Sequence, residues 1–270
     1  MLEGRRRPLT EVSGVVFSRD RALQLDAFLQ SVRLYAPGLF GDLAVIYRAT
    51  AAPFADGYRA LVREWPDVTW REETAFGSDV TQSLGDRPFV VFHTDDDLYF
   101  ARVASFYVAD EVACFSFRLG LNTTYCYPLD FDEQVTPERE ERDWIAWRWR
   151  EHGRGAFGYP LALNGHVFAF EDVRRWVQQS EFSNPNELEV SLQAFLHELP
   201  PLMASFRESR IVNVPANRVN ESFANRNAGM HDIRELNERF LRGERIDLGA
   251  MDFSAIRGCH QEITLAFGSS

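Results

Sequence analysis

The sequence contains no lysine: all 29 basic residues among its 270 are arginine. That excludes a Schiff-base lysine and any phosphate loop that closes on Gly-Lys-Ser/Thr. Anionic groups must therefore be met by guanidinium, backbone N–H or metal. Cysteine is nearly as scarce. Cys114, Cys126 and Cys259 are too few and too scattered for a disulfide framework or a zinc knuckle, and the odd count points to reduced thiols and a cytoplasmic location. Long apolar runs are missing too, so no transmembrane segment is expected. Arg5, Arg6 and Arg7 are followed by no apolar leader core, and residues 1–11 read as a flexible arm. Basic charge is short overall, with a formal net charge of -11, which repels a polynucleotide backbone and argues against nucleic acid as a partner.

What is present is enough apolar material, 45% of residues, to fill a substantial core, and residues 12–270 read as one domain. Val12 to Ser18 is a β-branched run ending in Ser18-Arg19-Asp20-Arg21, after which Leu25, Phe28, Leu29 and Val32 recur at helical spacing. Further strands are expected at Leu43 to Tyr47, Val68 to Trp70 and Phe89 to Phe92, with a helix from Tyr58 to Trp65. Strands alternating with helices imply a parallel sheet. Later segments break the alternation: a strand from Ala113 to Leu119, a charged, Trp-rich helix from Glu138 to Glu151, a strand from Leu163 to Phe170, a helix opened by Asn184-Pro185-Asn186-Glu187, and a strand from Ile211 to Val214. The expected fold is α/β, a three-layer α/β/α sandwich around a mostly parallel mixed sheet. On the Glu138 to Glu151 helix, Trp144 and Trp147 are expected to share a face, chiefly for packing.

Phe89 to Phe92 is apolar on both faces, as in a strand buried between helix layers, and runs into Asp95-Asp96-Asp97. In open α/β sheets ligands sit outside the carboxyl ends of strands. Three adjoining carboxylates repel one another unless a cation or an arginine neutralises them. Asp95 and Asp97, two residues apart, could hold Mg²⁺ or Mn²⁺ and join it to substrate phosphates. Asp96 would face away, toward a sugar hydroxyl.

These segments resemble the GT-A glycosyltransferases, family 2 in particular. The likeness lies in Val15-Val16-Phe17-Ser18-Arg19-Asp20-Arg21, in the helix carrying Leu25-Asp26-Ala27-Phe28-Leu29, and in Phe92-His93-Thr94-Asp95-Asp96-Asp97, which looks like an Asp-x-Asp motif. It is clearest over residues 12–120, a nucleotide-sugar-binding half, with 121–270 as the acceptor half. The resemblance implies a metal-dependent transfer of sugar from a nucleoside-diphosphate sugar, a UDP-sugar first, to a saccharide or other hydroxyl acceptor. It places Ser18, Arg19 and Arg21 where the nucleotide enters, Asp95 and Asp96 against the nucleotide sugar, and Asp95, Asp97 and a distal His260 on the metal. It also points to Glu187 and Glu189 as the acidic start of the helix that supplies a base. Glu187 has a second reading, because Asn184, Pro185 and Glu187 together spell a helix capping box. Asp130 and Asp132 are lesser candidates for the base. Tyr47-Arg48-Ala49-Thr50 departs from the family, whose members often carry an acidic segment there.

Between Asn213 and Asn227 lie five asparagines with Arg218 and Arg226, a set able to bond sugar hydroxyls and phosphate. A sugar-phosphate nucleotidyltransferase is a competing reading, but Ser18-Arg19-Asp20-Arg21 lacks the glycines of that chemistry's first loop. A non-catalytic carbohydrate-binding protein keeping the same fold is another.

Overall fold

The structure, a computed structural model, describes residues 5–217, 219 and 231–269. In chain order the first strands and helices are β1 (Arg5–Pro8), β2 (Val12–Arg19), α1 (Ala22–Tyr35), β3 (Asp42–Arg48), α2 (Ala52–Glu64), β4 (Thr69–Glu72), α3 (Phe76–Ser83), β5 (Phe89–Thr94), β6 (Asp97–Tyr99), β7 (Ser105–Val108) and β8 (Val112–Ser116). They are followed by β9 (Tyr125–Cys126), β10 (Phe131–Asp132), β11 (Arg139–Glu140), β12 (Trp144–Arg148), β13 (His166–Ala169), α4 (Phe170–Gln179), α5 (Pro185–Leu192), β14 (Leu202–Phe206), β15 (Ile211–Asn213), α6 (Ile233–Leu241), β16 (Glu244–Ile246) and β17 (Phe267–Ser269).

One sheet runs in the order β11-β12-β14-β8-β13-β5-β2-β3-β4. Its β5-β2-β3-β4 side is parallel throughout, and β13 and β12 run against their neighbours. The mixed α/β sheet is the expected one. Because side chains alternate along a strand, β2 sends Val12 and Val16 into one core and Val15 and Phe17 into another. β5 does the same with Phe89 and Val91 against Val90 and Phe92. The first core is shared with Leu25 and Phe28 of α1, Tyr58 of α2 and Phe240 of α6, the second with Phe76 of α3, Trp176 of α4 and Leu188 of α5. Helices thus cover both faces, giving three layers.

The chain leaves β2 toward β3 and β4 on one side, then returns through α3 to β5 on the other. β2 and β5 are therefore the topological switch point, the place where open α/β sheets bind their ligands. Ser18-Arg19-Asp20-Arg21 and Asp95-Asp96-Asp97 leave those two ends.

Two expectations fail. Glu138 to Glu151 is not a helix but β11 and β12 followed by a short 3-10 turn. Trp144 and Ala146 enter one core while Ile145 and Trp147 enter the other, so the tryptophans lie on opposite faces. A segment apolar on both faces carries no period that separates strand from helix. Residues 5–8 are not part of a free arm either: β1 pairs antiparallel with β7, and the Arg6 guanidinium reaches Asp143 at 2.8 Å. Among the described residues no helix is long and apolar enough to cross a membrane.

Candidate active site

Buried Arg21, just before α1, is the counter-charge of the acidic cluster. One of its terminal nitrogens lies 3.0 Å from Asp95 Oδ1 and 2.8 Å from Asp96 Oδ2, and its Nε donates to Asn217 Oδ1 at 2.8 Å. The other oxygen of Asp95 accepts from Ser18 Oγ at 2.8 Å and from the Arg19 N–H at 3.3 Å. Ser18 in turn shares a 2.6 Å hydrogen bond with the Tyr58 hydroxyl. The Asp20 backbone makes the corner possible: it sits at φ 59°, and its carboxylate accepts from the Thr50 N–H and hydroxyl, both at 2.7 Å. That region is accessible to Asn and Asp where other side chains are strained. Thr50, from the segment that departs from the family pattern, thus fastens the loop after β3 to the loop after β2.

Asp97 is enclosed in hydrogen-bond donors. Its carboxylate takes Asn164 Nδ2 at 3.1 Å, Asn213 Nδ2 at 3.0 Å and the Thr94 N–H at 3.1 Å, and lies 3.1 Å from His93 Nδ1, whose Nε2 faces the Tyr99 hydroxyl at 3.1 Å. Asn213 Nδ2 also reaches Asp96 Oδ1 at 2.7 Å. The two carboxyls respond in opposite directions. Burial pushes Asp95 up, against Arg21 and Ser18. Asp97 meets the same burial, but the hydrogen bonds from His93, Asn213 and the Thr94 N–H hold it below its usual range.

The structure separates the two glutamates proposed as bases. Glu187 is exposed and closes the cap of α5: Asn184 Oδ1 accepts from the Glu187 N–H at 3.0 Å, and Glu187 Oε2 takes the Ser183 N–H and hydroxyl at 2.8 and 2.7 Å. This is the capping box that Asn184, Pro185 and Glu187 spell in the sequence. Glu189, half-buried, turns inward. Its Oε2 accepts from the Leu163 N–H at 2.9 Å and its Oε1 from the Tyr159 hydroxyl at 3.3 Å, and burial raises its carboxyl. The next residue after Leu163 is Asn164, the one bonded to Asp97. Two consecutive residues therefore bring the inward glutamate to the acidic cluster. Gly165, at φ 67°, completes this turn, donating to Phe92 O at 2.9 Å and accepting from the Phe117 N–H at 2.8 Å.

His260 arrives beside the cluster through backbone pairing with Asn213, flanked by Asn213 N–H to Cys259 O at 2.9 Å and Gln261 N–H to Asn213 O at 3.0 Å. Burial first, then the charge of Arg118, lower its imidazole to about 3, and its Nδ1 is enclosed with no hydrogen-bond partner. That orphaned nitrogen suits a cation. Asp95 and Asp97 do not as they stand, because Arg21, Asn164 and Asn213 already occupy their oxygens. Among the described residues no three His, Cys, Asp or Glu side chains group closely enough to hold a metal.

Arg218 lies outside the described residues, as does most of the asparagine-rich segment; of that segment, Asn213 and Asn217 fix the acidic cluster and Arg21. Asp130 and Asp132 are exposed beside the β9–β10 hairpin. Trp147 is buried and gives its Nε1–H to Phe157 O at 2.9 Å, a packing role. The residues missed from sequence were His93, Asn164 and Arg118, of which only His93 adjoined a recognised motif. A cleft of about 720 Å³ lies elsewhere, lined by Asp26, Trp65 and Arg245. Arg245 there already pairs with Asp26 at 3.3 Å and Glu64 at 2.9 Å.

No family model and no curated protein matches the chain. Among solved structures it is similar to S. aureus TarS 1-349, with 9% identity over 74% of this chain and 59% of that one, at a TM-score of 0.43. The same protein in complex with UDP gives 9% identity over the same shares and a TM-score of 0.44. The mannosyltransferase PcManGT from Pyrobaculum calidifontis, in complex with GDP-Man and Mn²⁺, gives 16% identity over 47% of this chain and 43% of that one, at a TM-score of 0.30. The chain thus spans about three-fifths of the length of the TarS fragment.

Proposed function

We propose that the chain transfers a sugar from a nucleoside-diphosphate sugar to a hydroxyl acceptor. The observation that carries this reading is the Leu163-Asn164 pair, which ties Glu189 to Asp97 at the β2/β5 switch point. A carboxyl raised by burial and tied through two consecutive residues to an acidic cluster that a buried arginine neutralises is suited to remove the acceptor proton while cationic groups meet the charge on the leaving diphosphate. In this reading Glu189 is the base, Ser18, Arg19 and Arg21 border the nucleotide, and the exposed edge of Asp96 faces the sugar.

Metal dependence belongs to the same proposal. Mn²⁺ or Mg²⁺ at Asp95, Asp97 and His260 would supply Lewis-acid neutralisation of the diphosphate. Since protein donors hold both carboxylates here, the reading requires Arg21 and Asn213 to release them.

The test is a thermal-shift panel of uridine, guanosine and thymidine diphosphates and their sugars, with and without Mn²⁺. A ligand at a hundred times its Kd stabilises the native state by about 2.7 kcal/mol. One nucleotide raising the melting temperature, more strongly with Mn²⁺, is the expected result. No shift with any of them contradicts the reading, and a shift indifferent to Mn²⁺ removes its metal.

A further inference from the structure

The ladder between β8 and β13 is short. It pairs Ser116 with His166 and Phe115 with Val167 and ends there, although β8 runs back to Val112 and β13 on to Ala169. Beyond that point the two strands continue without pairing to each other. Each keeps its other neighbour: Val112 lies beside Leu202 of β14, and Phe168 and Ala169 lie beside Val90 and Phe89 of β5. The result is a notch in the central sheet. A cavity of about 300 Å³ occupies it, with Val112 to Phe115 on one side and Val167 and Ala169 on the other. Phe89, which begins β5, lines the cavity, and Asp95 follows the end of that strand, about 20 Å away at strand spacing. The notch is therefore at the end of the sheet opposite the acidic cluster.

The inner wall is apolar. Phe89, Phe106, Trp176 and Leu199 line it and are themselves buried, and Phe89 and Phe106 lock edge to face at 5.1 Å. Protein interiors leave few voids larger than a water molecule. This one is about twice the size of an apolar cavity that holds benzene, and its lining is that of a small-molecule pocket. The mouth is acidic. Asp110, Asp172 and Glu198 stand there against one guanidinium, that of Arg175, which lies 3.1 Å from Asp172 and 2.6 Å from Glu198. Asp110 is exposed and makes no ion pair among the described residues. Arg6 and Arg7, stacked on Tyr107 and Phe89 nearby, are already answered by Asp143 and Glu11. Negative charge is left in surplus at the opening.

We propose that the notch is a second ligand site, which takes a small organic cation: an apolar body fills the gap between β8 and β13, and an ammonium group meets the carboxylates at the mouth. The wall favours the body, because burying it removes apolar surface from water. The mouth favours the charge. Asp172 has one oxygen beyond its bond to Arg175 and Asp110 has two, acceptors for the three N–H donors of an ammonium. An acid of the same shape meets repulsion there. The site rests on nothing in the glycosyl-transfer reading.

The experiment titrates the full chain with phenethylamine, phenethyl alcohol and phenylacetate, probes that share an aromatic body and end in a positive, neutral or negative group. Calorimetry reads affinity and the melting temperature reads native-state binding. Wild type should bind the amine most tightly and the acid about tenfold or more weakly than the amine. Ala113, partly buried on the β8 wall, is the place to fill the notch: Ala113→Phe should weaken the amine and the alcohol about tenfold or more. Asp110→Asn combined with Asp172→Asn leaves the walls intact and should weaken the amine alone, by about threefold. If Ala113→Phe does not fold, this second variant carries the test. Absence of binding by every probe overturns the proposal, and so does amine binding that a folded Ala113→Phe leaves unchanged. Acid bound as tightly as amine, or amine affinity indifferent to the loss of Asp110 and Asp172, overturns the cation.

Discussion

Two arginines, Arg21 and Arg118, are each 7% exposed, yet their surroundings are opposite. Arg21 is bound by Asp95, Asp96 and Asn217, its charge answered within the fold. Arg118 has a sulfur beside it and carboxylates only at a distance. Burial alone therefore says little about what a charged residue does. A buried arginine with its partners in place, as Arg21 has, is part of the scaffold.

Substituting each arginine sharpens the contrast. Arg21→Met strands Asp95 and Asp96 against each other, and breaking a buried pair in this way costs about 3–5 kcal/mol, or on the order of 10 °C in melting temperature. Chemical denaturation measures it. A loss below about 1 kcal/mol would show that the cluster does not depend on Arg21, and the contrast with Arg118 would collapse.

A smaller effect separates the regions by pH. His166 gives a hydrogen bond to Pro160 O at 2.9 Å and is held to about 3 by burial, then by the charge of Arg118. Its unfolded value is about 6.5. Because the depressed group is neutral in the fold and protonated in the unfolded chain, its contribution is intact above pH 6.5 and is lost as pH falls toward 3, at roughly 1.4 kcal/mol per pH unit. In Arg118→Met the folded imidazole titrates nearer its ordinary range, so the acid loss ends sooner and is smaller. Urea unfolding of the two proteins from pH 6.5 to 3 checks this; an acid loss that ends at the same pH in both would mean that Arg118 does not reach His166.

The first half of the molecule was far more legible than the second. β2, β3 and β5 are β-branched runs followed by polar loops, and the order of strands and helices alone places Asp95 to Asp97 at a strand end. Asn184, Pro185 and Glu187 spelled a cap, and they form one. Trp144 to Arg148 was misread because Trp, Ile and Ala face cores on both sides, which erases the period. β1 was misread because its pairing with β7 joins residues distant in sequence, Arg5 with Val108 and Pro8 with Ser105, which no local pattern encodes. The site was legible where chemistry is contiguous, in the aspartates, and illegible where it is assembled from single residues. Nothing in Leu119 or Phe117 announces that Arg118 is buried, and Asn164 takes its meaning only from the turn that Gly165 allows.

The central claim is that Glu189, and not Glu187, is the base of a site built on Asp95 to Asp97. Turnover of the nucleotide sugar that the thermal panel selects, measured for Glu189→Gln and Glu187→Gln, tests it most directly. Glu189→Gln should keep nucleotide binding and lose about 10²- to 10⁴-fold in kcat, while Glu187→Gln should stay within about twofold of wild type. Equal losses in the two variants, or full activity in Glu189→Gln, would contradict it.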